Sequence, residues 1–239
     1  MTHLRVSFAV AILTVTAVIP LAHGDGDNDR AFKAKNESGE ARTINVAGFP
    51  VVAPDNPFYA KNVPVPKRDV ARAKALLQEA GVPNPSFTLM TPTTSDAQKI
   101  AQVVQAMAKD AGFDIKLQST EFATSLDLAD KGQFDAYVLA WSGRADPDGN
   151  IFSFAGCKQP LNYAGYCKPE VDEILNKSRT VRDIAERRKL FDQLAAVALK
   201  DRPIVYLYHR HWLWGYTAKL SGLRPIPDGL VRVQGLKFN

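Results

Sequence analysis

A chain of 239 residues with 46% hydrophobic and 23% charged side chains has enough apolar material for a core, which excludes a mostly disordered polypeptide. Fifteen glycines and fifteen prolines exclude collagen-like and low-complexity readings. Thirty basic against 25 acidic side chains leave a net charge of +5, too small and too scattered to argue for a nucleic-acid partner.

Residues 1–24 read as a secretory signal peptide. His3 and Arg5 open it, Val6 to Ala22 is an uncharged apolar run, and Ala22-His23-Gly24 offers a small-x-small cleavage site. The competing reading is a retained membrane anchor, since about 17 residues is the lower limit for a span. The flank that follows (Asp25, Asp27, Asp29) is acidic rather than a stop-transfer cluster, which favours cleavage near Gly24 and export. Export decides the redox reading of the two cysteines, Cys157 and Cys167. An even count at short spacing in an oxidising compartment points to one disulfide, worth roughly 2–3 kcal/mol through restriction of the unfolded chain. Zinc would need more ligands than two thiols without a nearby His.

Residues 25–46 are polar, without apolar periodicity, and read as a linker. Asn36-Glu37-Ser38 matches a glycosylation acceptor, a frequent chance pattern. Five prolines between Pro50 and Pro66 make that stretch extended loop. Asp69 is a good N-cap for a helix from Val70 to Ala80, stopped by Gly81 and Pro83. Ser86 to Thr91 reads as a strand. Asp96 to Ala111 places Ala97, Ile100, Val104, Met107 and Ala111 on one helical face ahead of Gly112. Phe113, Ile115 and Leu117 then alternate with polar residues, a strand period.

Ala123 to Lys131 reads as a helix ended by Gly132, and Phe134 to Trp141 as a buried strand. Such strand–helix alternation implies an α/β lobe with a mostly parallel sheet flanked by helices. Two helices follow, Pro169 to Ser178 and Asp183 to Lys200. The second carries an apolar stripe at Ile184, Phe191, Leu194 and Ala198, and Asp183 with Glu186 resembles a capping box. Beyond Pro203, Ile204 to Tyr216 reads as a long β-type run, with a last strand near Leu230 to Phe238.

Motifs of common enzymes are absent: no GxSxG, GxxxxGK[ST] or HExxH occurs. His209 and His211 share one strand face without a signposted third metal ligand. Asp146-Pro147-Asp148-Gly149-Asn150 alternates acids and an amide, yet an EF-hand would need Gly and Glu where Ile151 and Cys157 stand. The segment reads instead as a tight turn. It follows the C-terminal end of a parallel strand, where open α/β sheets bind ligands. There Asp146 or Arg144 would meet a ligand's ammonium or carboxylate, with Trp141 as an apolar wall. Pro92 to Asp96 enters a helix on the same rim, with Lys99 in its first turn; a solvated cap competes with an anion site there. The basic run Arg179, Arg182, Arg187, Arg188 and Lys189 is interleaved with acids and reads as a solvated helical face.

Taken together, DVARAKALLQEAG (Asp69–Gly81), LAWSGRADPDGNIFSF (Leu139–Phe154), Cys157 and Cys167 bracketing LNYAGYC, PEVDEIL (Pro169–Leu175) and RPIVYLYHRHWLWGY (Arg202–Tyr216) resemble the C-terminal part of family 5 extracellular solute-binding proteins. These are the dipeptide- and oligopeptide-binding components of bacterial ABC importers. The resemblance runs from about Ala47 to the C-terminus. It implies a periplasmic-binding-protein-like lobe at 47–202 and a β segment at 203–239 that returns to another lobe. It implies a non-enzymatic receptor without cofactor or metal, whose partners are a peptide or similar solute and the permease and ATPase of an inner-membrane importer.

In the family, the position three past the Trp is acidic and pairs with the peptide amino terminus; here it is Arg144, so either Asp146 takes over the acidic role or the ligand presents no ammonium there. A basic family residue on the early helix would fall at Gln98 or Lys99, of which Lys99 keeps the charge. Family members are much longer, and the expected gap lies before Ala47, across most of the first lobe. Val205, Leu207, Trp212, Leu213 and Trp214 would then lack their usual cover and favour self-association. The rival readings are a secreted hydrolase using Asp146 and Asp148 with the histidines, and a membrane-tethered interaction domain.

Overall fold

In the computed structural model the described residues are 31–35, 41–45, 56–61, 63, 68–208, 215–224 and 230–239. The elements run β1 (Ala31–Lys35), β2 (Ala41–Asn45), α1 (Val70–Glu79), β3 (Ser86–Pro92), α2 (Ser95–Lys109), β4 (Asp114–Thr120), α3 (Phe122–Asp130), β5 (Ala136–Tyr137), α4 (Asp148–Ala155), α5 (Pro169–Thr180), α6 (Ile184–Asp201), β6 (Leu220–Ser221) and β7 (Lys237–Phe238). The central sheet has the order β4-β3-β5, and both pairings are parallel.

Local chemistry sets the helix ends. The Asp69 carboxylate accepts from the Arg72 N–H at the start of α1, and Asp183 accepts from the Glu186 N–H at the start of α6. Glu121 caps α3 through the Thr124 N–H, and the first-turn amides that it accepts from hold its carboxyl below the usual range. Gly81, Gly112 and Gly132 stand just past the ends of α1, α2 and α3, as their sequence positions predict.

Two apolar clusters form. Alternation along β3 puts Phe87 and Leu89 on one face, where they meet Ile115 and Phe113 and bury Ala73 and Leu77 of α1 with Ala101 and Ala108 of α2. Met90 and its register partner Tyr137 take the other face; there the Tyr137 hydroxyl lies 2.7 Å from the buried Ser125 hydroxyl of α3. Helices thus flank the parallel sheet on both sides. The second cluster joins Ile151 and Ala155 of α4, Val171 and Leu175 of α5, and Phe191, Leu194, Ala195 and Ala198 of α6, with Ala60 completing it. The Cys157–Cys167 disulfide closes the connection between α4 and α5. Within it, Tyr163 donates to Asp130 at the end of α3, tying the helical cluster to the sheet. Burial and that carboxylate push the Tyr163 phenol up to about 12.

Several expectations are corrected. The polar segment 25–46 contains an antiparallel hairpin, β1 with β2, because backbone pairing needs no apolar periodicity. Phe134 to Trp141 is not a buried strand: only Ala136 and Tyr137 pair in the ladder, the run is half-buried, and Trp141 is 44% exposed. β5 pairs with β3 alone and forms one edge of the sheet, so its apolar residues are covered on one side. The acidic turn after Trp141 opens a helix, α4, that the turn residues concealed. Ile184 of the expected stripe is exposed, as is Leu117 on the edge strand β4.

Residues 204–208 carry no strand, and near the C-terminus only Lys237 and Phe238 pair, with Leu220 and Ser221. The signal-peptide reading, Asn36, His209, His211 and Trp212 to Trp214 lie outside the described residues. Among the described residues no helix is long and apolar enough to cross a membrane. Leu194 is fully buried at the centre of the helical cluster. Leu194→Ala is expected to lower stability by about 2–5 kcal/mol in urea unfolding, against a few tenths for the exposed Ile184→Ala.

Candidate functional site

The parallel strands end on one rim, and the loop from β5 to α4 leaves from that rim. Its organiser is Asn150, in the first turn of α4 and only 8% exposed. The Asn150 Oδ1 accepts from the Trp141 indole N–H at 3.1 Å and from the Arg144 backbone N–H at 2.6 Å. Its amide donates to the Arg144 carbonyl at 2.7 Å and to the Asp146 carbonyl at 3.1 Å. One buried side chain therefore fixes both ends of the segment 141–146. Gly143 turns the chain there at φ 76°, a conformation that favours glycine.

Trp141 packs edge-on against Phe154, with ring centroids 5.1 Å apart, and is 44% exposed. The Arg144 guanidinium lies 4.6 Å over the same indole, and its Nη1 donates to the Ser142 hydroxyl and the Gly143 carbonyl. Gly149 gives this side chain its room: a Cβ there would stand 3.1 Å from both Cβ and Cγ of Arg144.

Asp146 faces another direction. Both of its carboxylate oxygens accept from Arg187 of α6, at 2.6 Å from Nη1 and 2.7 Å from Nη2. Oδ1 also accepts from the Asp148 N–H. Arg187 is held in turn by the Ser178 carbonyl, and its guanidinium lies near the faces of Phe58 and Phe191, at 5.2 and 5.5 Å. The hydrogen bonds from Arg187 hold the Asp146 carboxyl below its usual range against the opposing effect of desolvation. A second arginine, Arg179 of α5, brings Nε to 3.3 Å from the Asp148 carboxylate and stacks 4.1 Å over Phe152. Asn56 closes the frame by donating to the Ala145 carbonyl.

Of the four site residues read from the sequence, Trp141 and Arg144 come together, Asp146 is taken up by α6, and Lys99 stands apart. Lys99 is exposed in the first turn of α2, and no hydrogen bond or ion pair among the described residues links it to the loop. The free N–H of Ala97 beside it is already met by the Thr94 hydroxyl. The basic run is likewise corrected: Arg187 and Arg179 turn onto the loop instead of forming a uniformly solvated face. Asn150 and Arg187 are the residues that sequence reasoning missed. Their signal was the acid-Pro-acid-Gly-Asn string itself, whose carboxylates need cations and whose amide needs backbone partners. An open depression of about 310 Å³, lined by Thr88, Met90, Gln118 and Phe134 among others, sits on the α3 face at the entry to β5, not at its exit.

Residues 35–162, more than half of the chain and including the whole sheet and this loop, match the model of the bacterial extracellular solute-binding proteins, family 5 middle region. The chain belongs to that family.

This family 5 protein is 32% identical over 173 residues to di/tripeptide-binding protein 4 of Pseudomonas aeruginosa, covering 67% of the present chain and 32% of the relative. It is 28% identical over 213 residues to the oligopeptide-binding protein AppA of Bacillus subtilis, covering 80% of the present chain and 39% of the relative. The structure of AppA in complex with a nonapeptide superposes with a TM-score of 0.71 at 23% identity, over 97% of the present chain and 47% of AppA, which shows a shared fold. The chain thus spans about a third to a half of the length of the relatives that it matches. The family consists of solute-binding proteins, not enzymes.

The Asp146–Arg187 pair predicts a pH dependence. The folded-state pKa is depressed, so the stabilisation is fully present above the unfolded-chain value of 3.8 and is lost as pH falls through the lower folded value. More than half of the Asp146 side chain is exposed, which keeps the effect modest. Asp146→Asn is expected to lower stability at neutral pH and to remove that part of the acid-induced loss, as read from thermal melts between pH 3 and pH 7.

Proposed function

We propose that this family 5 protein is the substrate-binding component of a bacterial ABC importer, taking up peptides or similar small solutes and delivering them to a permease driven by an ATPase. The reading extends to this chain what the relatives' names say of them: a di/tripeptide-binding and an oligopeptide-binding protein. The observation that carries it is the rigid loop at the strand exit, where an exposed indole and an exposed guanidinium are held in place by a buried asparagine. Residues 1–24 serve as the signal peptide that brings the protein to the periplasm, 47–202 form the binding lobe, and 203–239 form a return segment.

A non-enzymatic role is supported by what the two acids do. A hydrolase based on Asp146 and Asp148 would need a carboxylate free to move a proton, whereas Asp146 accepts three hydrogen bonds and Asp148 faces Arg179.

With Trp141 open to solvent, the site is a wall rather than an enclosed cavity, so binding by this chain alone is weak. Isothermal titration with a di- and tripeptide library is expected to give dissociation constants above the micromolar range. Trp141→Ala should abolish the heat without lowering the melting temperature appreciably. Micromolar or tighter binding would overturn the open-wall reading, and no binding by any peptide would overturn the peptide assignment.

A further inference from the structure

Among the described residues, charge pairing around the loop after β5 leaves Arg144 without an acid. Arg187 fills both Asp146 oxygens, and Arg179 faces Asp148, so neither carboxylate is presented outward as a free charge. Arg144 has the opposite situation. Its Nη1 donates to a hydroxyl and a carbonyl, both neutral, while Nε and Nη2 have no partner among the described residues and no carboxylate pairs with it. Arg187, Arg179, Lys168 and Lys131, by contrast, each have an acid within 4 Å.

The geometry points to a carboxylate, not an ammonium group, as the part of the solute that this loop reads, with Arg144 as the reader. The inference rests on the solute-binding role proposed above and specifies its ligand chemistry.

Three features make Arg144 more than a solvated surface charge. The side chain runs across Gly149, where any Cβ would press on its own Cβ and Cγ, so its path is built into α4. The guanidinium is laid on the Trp141 ring, which is itself fixed by Asn150 and Phe154. Nη1 is anchored to the loop, leaving Nε and Nη2, the edge that binds a carboxylate in parallel bidentate fashion, without partners. A guanidinium held this way has already given up the rotamer freedom that binding would otherwise cost. An ammonium ligand, in contrast, would meet this cation and find the Asp146 charge already offset by Arg187.

The test uses the full chain and four probes: L-alanyl-L-alanine, its N-acetyl derivative, its C-terminal amide, and N-acetyl-L-alanine, each titrated by calorimetry and by NMR. Acetylation is expected to change the dissociation constant by less than about threefold and amidation to weaken it by about tenfold or more, the scale of a charge-assisted pair. Arg144→Gln should erase the acid–amide difference, Arg144→Lys should restore part of it, and Gly149→Ala, which displaces Arg144 without touching its charge, should reduce it. Melting curves of each variant show whether the fold is kept. A tenfold loss on acetylation with none on amidation would overturn the carboxylate reading and leave peptide binding intact. Arg144-dependent binding of N-acetyl-L-alanine without binding of the dipeptide would overturn the peptide assignment and leave the carboxylate reading intact. An acid–amide difference that survives Arg144→Gln, or no binding of any probe, would overturn the inference.

Discussion

The bidentate pair between Arg187 and Asp146 is the constraint on which the rest of the site depends. It joins a loop that leaves the sheet to a helix in a separate apolar cluster, and it does so with a guanidinium that lies against two phenyl rings and is anchored by the Ser178 carbonyl. An exposed ion pair is worth little. This one is different in that the arginine is only 16% exposed and its fork matches both carboxylate oxygens. Together with Asn150 it gives the segment 141–146 a single conformation, and that conformation decides which charges face outward.

The two apolar clusters are otherwise loosely joined. One is made by the sheet with α1 and α2, the other by α4, α5 and α6. Their links include the Asp146–Arg187 pair, the Asn56 bond to Ala145, the Tyr163 bond to Asp130, and the ring contacts of Phe134 with Tyr163 and Trp141 with Phe154. The hydrogen bonds among them are directional, so they add an angular constraint that apolar packing lacks. A similar polar knot closes the far end of α6. There desolvation acts to raise the Asp201 pKa, but bonds from Lys168 and Tyr166 outweigh it and hold the carboxylate in its charged form. Lys168 directly follows the disulfide residue Cys167, so covalent and ionic ties meet at the start of α5.

The proposed function follows from this division of labour. Packing supplies two apolar clusters, and the loop between them carries an exposed indole with a guanidinium laid on it. Asn150, itself buried, holds this surface in one conformation, which the proposed receptor role would require before a solute arrives. The acids that looked available for chemistry are occupied in maintaining the surface.

The sequence by itself determined the local elements. Capping acids, glycine stops and periodicity place α1, α2, α3, β3, β4, α5 and α6 to within a few residues, because these signals act over one or two turns of chain. The pairing of Cys157 with Cys167 was also legible, since two cysteines allow one bridge. Only the tertiary structure decided the rest. Asp146 and Arg187 are 41 residues apart, and nothing in their neighbourhoods says that they meet. The short β5 and the exposure of Trp141 depend on which side of the sheet has a neighbour, and α4 begins in residues whose local preference is for a turn. Local preferences fixed what each segment is, whereas contacts between distant segments fixed which side chains remain free to bind.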